Sequence, residues 1–295
     1  MQRQGFLYAL GAYTIWGIFP IYWKALHQVS AIELIGHRIL WSFLTLLSVL
    51  TFSGQVGVFW NYLSHSQTRR YYLLAALLIS VNWLVYVWGV NTGHIVETSL
   101  GYFINPLLSV FLGVVVLRER LRPLQWLPIL LAAAGVLYLT LVYGRVPWIA
   151  LTLAFTFALY GLVKKLAPLN SLHGLSLETA ILFLPALAYL LYEEIQGRAT
   201  FLHTDTRTTL LLLAAGLVTT VPLLMFASAA RRIPLSAIGL MQYIAPSLQF
   251  LIGVLIYHEP FNRHHLLGFS LVWMALAIFA AEMIAQERRR RPVGS

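Results

Sequence analysis

Long apolar stretches, each separated from the next by a short polar segment, dominate the pattern along this chain. A helix that crosses the hydrocarbon core of a bilayer needs about 20 apolar residues. By this length criterion the sequence predicts ten transmembrane spans, which cover residues 5–26, 33–52, 71–93, 95–117, 123–144, 146–166, 172–192, 208–230, 234–257 and 264–286. The stretches lack the alternation of apolar and polar residues that marks a transmembrane β-strand. The pattern therefore predicts an all-α integral membrane protein.

Two of these spans repeat each other. Residues 100–121 (LGYFINPLLSVFLGVVVLRERL) and residues 240–261 (LMQYIAPSLQFLIGVLIYHEPF) align without a gap at a constant offset of 140, with Pro106 and Pro246 in register. Because proline lacks a backbone donor, each copy is predicted to be a helix broken near its middle. A duplicated, interrupted helix at membrane depth points to a transporter built from two repeats around one site. We expect Pro106 and Pro246 to mark two symmetry-related gating helices.

The span count divides the chain into two repeats of five helices. The N-terminal repeat is predicted to cover residues 1–144, and the C-terminal repeat residues 145–295, which end in a basic tail. Since five is odd, the two repeats must cross the membrane in opposite orientations. Glu119 and Glu259, which follow the two duplicated helices in register, then lie on opposite sides.

The composition identifies the bilayer as the solvent for most of the chain. Hydrophobic residues make up 59% of it and charged residues only 10%, which is far from the balance of a soluble domain. The net charge of +10 comes from basic residues scattered between apolar runs, so basic loops are favoured over a nucleic-acid surface. There is no cysteine, which removes disulfides and thiolate metal sites.

Lysine and arginine predict the orientation in the membrane. Fourteen of the 20 lie on one side of the predicted spans, and cytoplasmic segments are the ones that carry such an excess. Both termini are therefore predicted to be cytoplasmic, with Arg288–Arg291 touching anionic lipid. The stretch 5–26 is long enough to span the membrane and holds Trp16, Pro20 and Trp23 instead of a small-residue cleavage site, so it is predicted to be the first span and not a cleavable signal.

Polar and aromatic side chains are concentrated in some spans and absent from others. A polar group facing lipid is costly, so Asn82, Tyr102, Asn105, Gln242 and Tyr243 are expected to face protein or water. Near the two prolines, these groups can line a cavity for an amphipathic small molecule. The alternative is that the prolines only bend the helices and that Asn105 bonds a neighbouring helix. The fifth and tenth spans are almost wholly apolar, which places them at the periphery or in a homodimer contact.

Three charged residues near the spans are candidates for a role in transport. Arg38 lies less than two turns inside the second span, where it can snorkel, pair with Glu33 or Glu97, or act as counter-ion for a substrate carboxylate. Glu97 begins the fourth span. Glu178 begins the seventh span and is a candidate carrier for a coupled proton, although the helix dipole favours a glutamate there in any case.

The chain lacks the signatures of an enzyme. Asp205, its only aspartate, lies in a loop, and no HExxH, Walker A, GxSxG or GxGxxG motif occurs. His264 and His265 are adjacent and cannot share a helix face, so no metal site is expected. We therefore expect neither catalysis nor a cofactor. Without a nucleotide site, transport must be passive or driven by an ion or solute gradient.

Several segments resemble a known family over essentially the whole chain. They are SLGYFINPLLSVFLG (99–113), IELIGHRILWSF (32–43), NWLVYVWGVN (82–91), FTFALYGLVKK (155–165) and AAGLVTTVPLL (214–224). The chain is similar in these segments to the RarD group in the EamA-type branch of the drug/metabolite transporter superfamily. The resemblance implies ten helices in two inverted five-helix repeats, a bacterial inner-membrane location and export of small organic solutes. It also places six residues on the helices that enclose a central cavity: Trp16, Asn82, Tyr102, Asn105, Gln242 and Tyr243.

Together, the pattern and the resemblance predict a secondary transporter of the cell inner membrane. It is expected to export a small organic metabolite or drug-like solute by alternating access through a central cavity, with the bilayer and that solute as its partners. A facilitator that equilibrates amino acids or related metabolites without a gradient remains open. So does a membrane sensor that transports nothing.

Overall fold

The computed structural model describes residues 2–64, 66–91, 94–143, 147–257 and 263–290, and its regular elements in these ranges are α-helices. The helices are α1 (Gln2–Lys24), α2 (Ala31–Phe52), α3 (Val56–Ser64), α4 (Ser66–Asn91), α5 (Ile95–Val115), α6 (Pro123–Tyr143), α7 (Trp148–Leu166), α8 (Ser171–Ile195), α9 (Thr206–Ala230), α10 (Leu235–Gln242), α11 (Ile244–Leu255) and α12 (Arg263–Arg290).

Side-chain caps explain where three of the long helices begin. Ser30 accepts a hydrogen bond from the backbone N–H of Glu33 at the start of α2, and Asn170 accepts the equivalent bond from His173 at the start of α8. Asp205 does the same for α9. A capping oxygen satisfies one of the backbone donors that a helix leaves unpaired in its first turn.

The helix boundaries repeat at the offset found in the sequence. Helices α2 and α5 begin at residues 31 and 95, whereas α8 and α10 begin at 171 and 235. Each pair differs by 140. Helix α11 also ends 140 residues after α5, at 255 against 115. The short helix α3 has no counterpart among the described residues of the second half.

Several helices are suited to cross a bilayer. Within the described ranges, α1, α2, α7, α8 and α9 are each long and apolar enough to do so, and three further apolar helical stretches are shorter. Leucines on the outer helix surfaces, such as Leu130, Leu184 and Leu217, are largely exposed. A surface of this kind is stable only against lipid or another apolar partner. The chain is therefore a multi-pass membrane protein.

The two duplicated helices differ at their prolines. Helix α10 ends at Gln242 and α11 begins at Ile244, so the second copy is interrupted one turn before Pro246, whose missing N–H leaves the Gln242 carbonyl without its helical partner. Helix α5, in contrast, runs through Pro106 without a break. The prediction of a broken helix is thus confirmed for the second copy and wrong for the first. Glu259 lies outside the described residues.

Loop contacts define two faces of the helix bundle. On the first, which we call the Asp205 face, Gln28 after α1 donates to Asp205 before α9 at 3.1 Å. On the second, the Glu119 face, Glu119 after α5 contacts the start of α10, and Arg231 after α9 donates to the carbonyl of Ala167 after α7. Helix α9 therefore runs from the Asp205 face to the Glu119 face.

Helices α6 and α12 lie at one side of the bundle and pack against each other, while α6 also contacts α5 and α12 contacts α10. The remaining long helices pack together as the main body. The peripheral position predicted for the fifth and tenth spans agrees with this arrangement. The alternative, a homodimer contact, stays a prediction.

Candidate functional site

A central cavity of about 200 Å³ lies among α1, α2, α4, α5, α7, α9, α10 and α11. The first half of the chain contributes most of its lining: Tyr13, Trp16, Phe19, Pro20, Trp23, Arg38, Ile79, Asn82, Trp83, Tyr86 and Tyr102. The second half contributes Phe157, Leu223, Gln242, Ala245, Pro246 and Gln249. The lining runs from the middle to the end of α1 and includes the beginning of α2, which places the cavity in the half of the bundle nearer the Asp205 face.

Arg38 is the charged residue of this lining. Its guanidinium carbon lies 4.4 Å from the ring centroid of Trp83 and 4.8 Å from that of Trp23, and its Nε donates to Thr219 Oγ1 at 3.0 Å. The side chain is 9% exposed. A guanidinium can stack on aromatic faces while its remaining N–H groups stay available to a ligand. Arg38 therefore presents a buried, oriented cation to the cavity.

An aromatic layer separates the cavity from the Glu119 face. Trp16 packs against Phe157 and Phe226, with ring centroids 5.8 and 5.7 Å apart, and Phe226 stacks on Tyr160 at 6.0 Å. Tyr13 contacts the same layer, and its buried hydroxyl has no hydrogen-bond partner among the described residues. The layer closes the cavity on one side, and the Tyr13 hydroxyl at its border is available to hydrogen-bond a ligand.

Polar amides hold the cavity walls together or border the space itself. Asn82 Nδ2 donates to the Leu153 carbonyl and to Thr156 Oγ1, both at 2.9 Å, and thereby joins α4 to α7. Gln249 Nε2 donates to the Trp16 carbonyl at 3.0 Å and joins α11 to α1. Gln242 makes no such bond to any residue in the described part of the chain, so its amide is available to a ligand.

The structure brings four of the six predicted cavity residues to this space: Trp16, Asn82, Tyr102 and Gln242. It does not bring the other two. Asn105 donates to the Ala154 carbonyl at 3.1 Å and accepts from Ser109, which is the helix-packing role that the sequence left open as an alternative. Tyr243 is fully buried in a cluster with α6 and α12, and its hydroxyl donates to the Phe103 carbonyl at 3.1 Å.

The two prolines also occupy different surroundings. Pro246 lines the cavity directly. The Pro106 carbonyl instead lies where α5 crosses α10, and a Cβ added at Gly239 would come within 2.6 Å of it. The glycine therefore allows the two backbones to approach closely. The gating role of both prolines stays a prediction.

The remaining charged candidates lie away from the cavity. Glu178 is buried near the Glu119 face, where Oε1 is 2.5 Å from Lys164 Nζ and Oε2 accepts from the Tyr160 hydroxyl at 3.0 Å. The sequence did not identify this pair, because Lys164 and Glu178 lie in two different predicted spans. Glu97 lies in α5, and its side chain is outside the described ones.

Several lining residues were not predicted, although the sequence held a signal for them. Along α1, Phe19 and Pro20 lie one turn beyond the predicted Trp16, and Trp23 lies two turns beyond it, which is the pattern of one continuous face. In α4, Tyr86 lies one turn beyond Asn82 on the same face. Phe157 carried no polar signal, so only the packing of α7 identifies it.

Outside the spans, Asp205 is held by several hydrogen bonds. Its carboxylate accepts from the hydroxyl of Thr208 at 2.7 Å, from the backbone N–H of Thr208 at 2.9 Å and from Gln28 at 3.1 Å. These bonds favour the charged form and lower the pKa of Asp205 to about 2. No group of three potential metal ligands occurs in the ranges that the structure describes.

The fold and cavity define a class of protein: a helical, multi-pass membrane protein with a solute-sized space between its two halves. The EamA-like transporter family model matches the chain twice, at residues 3–141 and 146–281. The chain therefore belongs to the EamA-like transporter family, whose members are membrane transporters.

Named relatives and a solved structure agree with this assignment. The chain is 47% identical to Protein RarD of Streptomyces exfoliatus, over 98% of this chain and 92% of the relative. It is 43% identical to Protein RarD of Escherichia coli, over 97% of each, and 43% identical to the uncharacterized transporter YojE of Bacillus subtilis, over 97% and 96%. One crystal structure matches with a TM-score of 0.70 over 95% of this chain and 98% of the other. At 17% identity, that match concerns the fold alone.

Proposed function

We propose that this chain is a secondary transporter of the bacterial inner membrane, which moves a small organic solute by alternating access. The observation that carries the proposal is the cavity itself, which combines aromatic walls, an available amide and a buried cation. Apolar pockets with a few oriented polar groups are typical ligand sites. At about 200 Å³ the cavity is smaller than the roughly 300–1,000 Å³ of drug-sized sites, which favours a small metabolite over a large drug.

The proposal includes ten spans arranged as two inverted repeats. The offset of 140 between helix starts supports the duplication, as does the double match of one family model to the two halves. An interrupted helix at the centre, formed by α10 and α11, is a recurring feature of transporters with such repeats. We assign the Glu119 face to the cytoplasm, because the basic residues concentrate there.

In this arrangement the cavity is in its outward-facing form. The half of the bundle near the Asp205 face contains the open space, while the equivalent half near the Glu119 face is filled by Tyr160, Phe226 and the Lys164–Glu178 pair. If the two repeats exchanged conformations, the half of the bundle near the Asp205 face would close and the half near the Glu119 face would open. Pro246, beside the break between α10 and α11, lies where such a change can take place.

The energy source is a separate part of the proposal. Glu178 is the candidate for proton coupling, but its tight pair with Lys164 equally suits a structural contact that holds the Glu119 face closed. A facilitator would equilibrate its solute whether or not a proton gradient is imposed. Imposing and collapsing that gradient across proteoliposomes separates the two mechanisms.

The test is a thermal-shift screen of metabolites and antibiotics on the purified protein, followed by flux of the hits into proteoliposomes. We expect Trp16→Ala and Gln242→Ala to abolish flux and Leu184→Ala, on the lipid-facing surface, to leave it unchanged. Normal flux in both cavity variants would remove the cavity from the transport path. Ligand binding without flux of any hit would favour a sensor.

A further inference from the structure

Arg38 is a buried cation that has no counter-ion among the residues that the structure describes. Among the residues that the structure describes, no carboxylate lies within ion-pair distance of its guanidinium, and Nε–Thr219 is its hydrogen bond to protein. Glu33, on the same helix, is occupied elsewhere: its two oxygens accept from the backbone and hydroxyl of Thr200 at 2.6 and 2.8 Å. A buried charge without a counter-ion is unfavourable, so this position favours an anion from outside the chain.

The equivalent position in the second half of the chain is equipped differently. Arg38 is the eighth residue after the cap Ser30 (38 − 30), and Glu178 is the eighth after the cap Asn170 (178 − 170). Glu178 has Lys164 as its counter-ion at 2.5 Å. The residue 140 positions before Lys164 is Lys24, a second cation, which lies over the Tyr257 ring and does not line the cavity. In the described part of the chain, the Glu178 position therefore has a complete charge pair, whereas the Arg38 position has a cation and no anion.

From this asymmetry we propose that the cavity binds a small organic carboxylate with a flat apolar body, and that the carboxylate is the counter-ion of Arg38. The inference rests on the proposed transport function and names the substrate class of that same cavity. The two indole rings of Trp23 and Trp83 lie beside the guanidinium and offer apolar faces to the body of such a ligand. The unpaired hydroxyl of Tyr13 is a further donor in the same space.

The carboxylate also has a role in closure. When the repeats exchange conformations, the cavity around Arg38 collapses to the packed state that now surrounds Glu178. Without a ligand, that step would bury the guanidinium alone, in a region where the Coulomb interaction is strong and hydration is lost. With a carboxylate bound, Arg38 would be buried as part of an ion pair with no net charge, as Glu178 already is with Lys164. The anion is therefore required for turnover as well as for binding.

A matched pair of probes tests this on the wild-type protein. 3-Phenylpropionate and 3-phenylpropionamide share the ring and chain and differ in charge. Loss of one partner of a buried charge pair costs about 2 kcal/mol or more, which corresponds to about 30-fold in affinity. With chloride, sulfate and other small anions left out of the buffer, thermal shift and calorimetry should therefore show the carboxylate binding at least about 30-fold more tightly than the amide. Equal affinities would overturn the proposal.

Two arginine variants assign the charge to its residue. Arg38→Gln should bind the carboxylate and the amide equally, whereas Arg38→Lys should keep a preference for the carboxylate. Arg198→Gln removes an exposed arginine of the same face, which pairs with Glu193, and should retain the wild-type preference. A carboxylate preference that survives in Arg38→Gln would contradict the assignment.

The remaining outcomes separate this inference from the transport function. Stabilisation by chloride alone, with loss of the carboxylate effect, would make the site one for an inorganic anion and overturn the proposal. The same holds if 3-phenylpropionate does not bind. In either case, flux of another solute that depends on Trp16 and Gln242 would leave the transport function intact. Absence of flux for every solute that binds would instead count against transport itself.

Discussion

The carboxylate of Glu119, which follows α5, caps the start of a different helix, α10. Helix α10 begins after Pro234, which offers no side-chain cap. Glu119 supplies it from the far end of α5: Oε1 accepts from the Leu235 N–H at 2.7 Å, and Oε2 accepts from the Ser236 N–H at 3.0 Å and its hydroxyl at 2.7 Å. Both donors belong to buried residues, so water cannot readily replace the carboxylate.

Substitution of Glu119 by alanine should therefore destabilise the protein strongly. Hydrogen bonds to a charged group contribute about 1.5–3 kcal/mol each, and a lost N-cap costs about 0.5–2 kcal/mol. Since the three bonds share one carboxylate and the side chain is 14% exposed, they do not add, and we expect a loss of about 2–4 kcal/mol. Glu119→Gln keeps one acceptor oxygen and should lose about half as much.

The assay is reversible unfolding in mixed detergent micelles, with hydrogen exchange as a local readout. In Glu119→Ala the amides of Leu235 and Ser236 should exchange faster than those of other helix starts. Glu194→Ala is the matched control, because its side chain is 53% exposed and contacts only His203 among the described groups. A Glu119→Ala protein within about 0.5 kcal/mol of wild type, with both amides still protected, would refute the capping role.

Three further predictions concern other parts of the fold. Gly216→Ala should destabilise by about 1–3 kcal/mol because its Cβ would lie 2.5 Å from the Trp41 backbone, whereas Gly57→Ala, which meets nothing within 4 Å, should be neutral or slightly stabilising in the same unfolding assay. Glu178→Gln should lose pH-dependent uptake in proteoliposomes if it carries a coupled proton, and an unchanged pH profile would make it structural. Asp205 has a folded-state pKa of about 2, below the usual value of about 3.9, so its stabilising effect is complete above about pH 4 and disappears as the pH falls towards 2. The difference in melting temperature between wild type and Asp205→Ala should shrink over that range, and a constant difference would contradict the assignment.

The sequence predicted the helices well because their pattern is local. An apolar stretch of the right length and a cap such as Ser30 or Asn170 are both contained in one segment. The offset of 140 was visible in a single helix pair and extends to the starts of α2 and α8. The sequence did not predict that α5 would remain continuous at Pro106, since neighbouring helices decide whether a proline bends or interrupts a membrane helix.

The site was predictable only in part, because helical spacing gives the direction of a side chain on its own helix but not what lies opposite. Tyr102 and Gln242 occupy equivalent positions and both line the cavity. Tyr243 is one residue further along, about 100° around the helix axis, and therefore faces α6 and α12 instead. Asn105 is polar for a different reason, since it bonds the backbone of α7.

Arg38 shows the same limit for charge. Its position two turns into α2 allowed snorkelling, an internal ion pair or a role in binding a substrate. Only the packing of α1 and α4, which places two indole rings beside the guanidinium and no described carboxylate near it, favours the last of these. Such an arrangement depends on residues far apart in the chain.

The central claim is that one cavity is exposed alternately to the two sides of the membrane, and labelling of single cysteines tests it most directly. The chain has no cysteine of its own. Gln249 lines the open cavity, and its equivalent 140 positions earlier, Ser109, is buried. We predict that Gln249→Cys reacts with an impermeant maleimide from the Asp205 face and Ser109→Cys from the Glu119 face, and that a transported solute changes the two rates in opposite directions. Labelling of both cysteines from the same side, or of Ser109→Cys under no condition, would contradict alternating access.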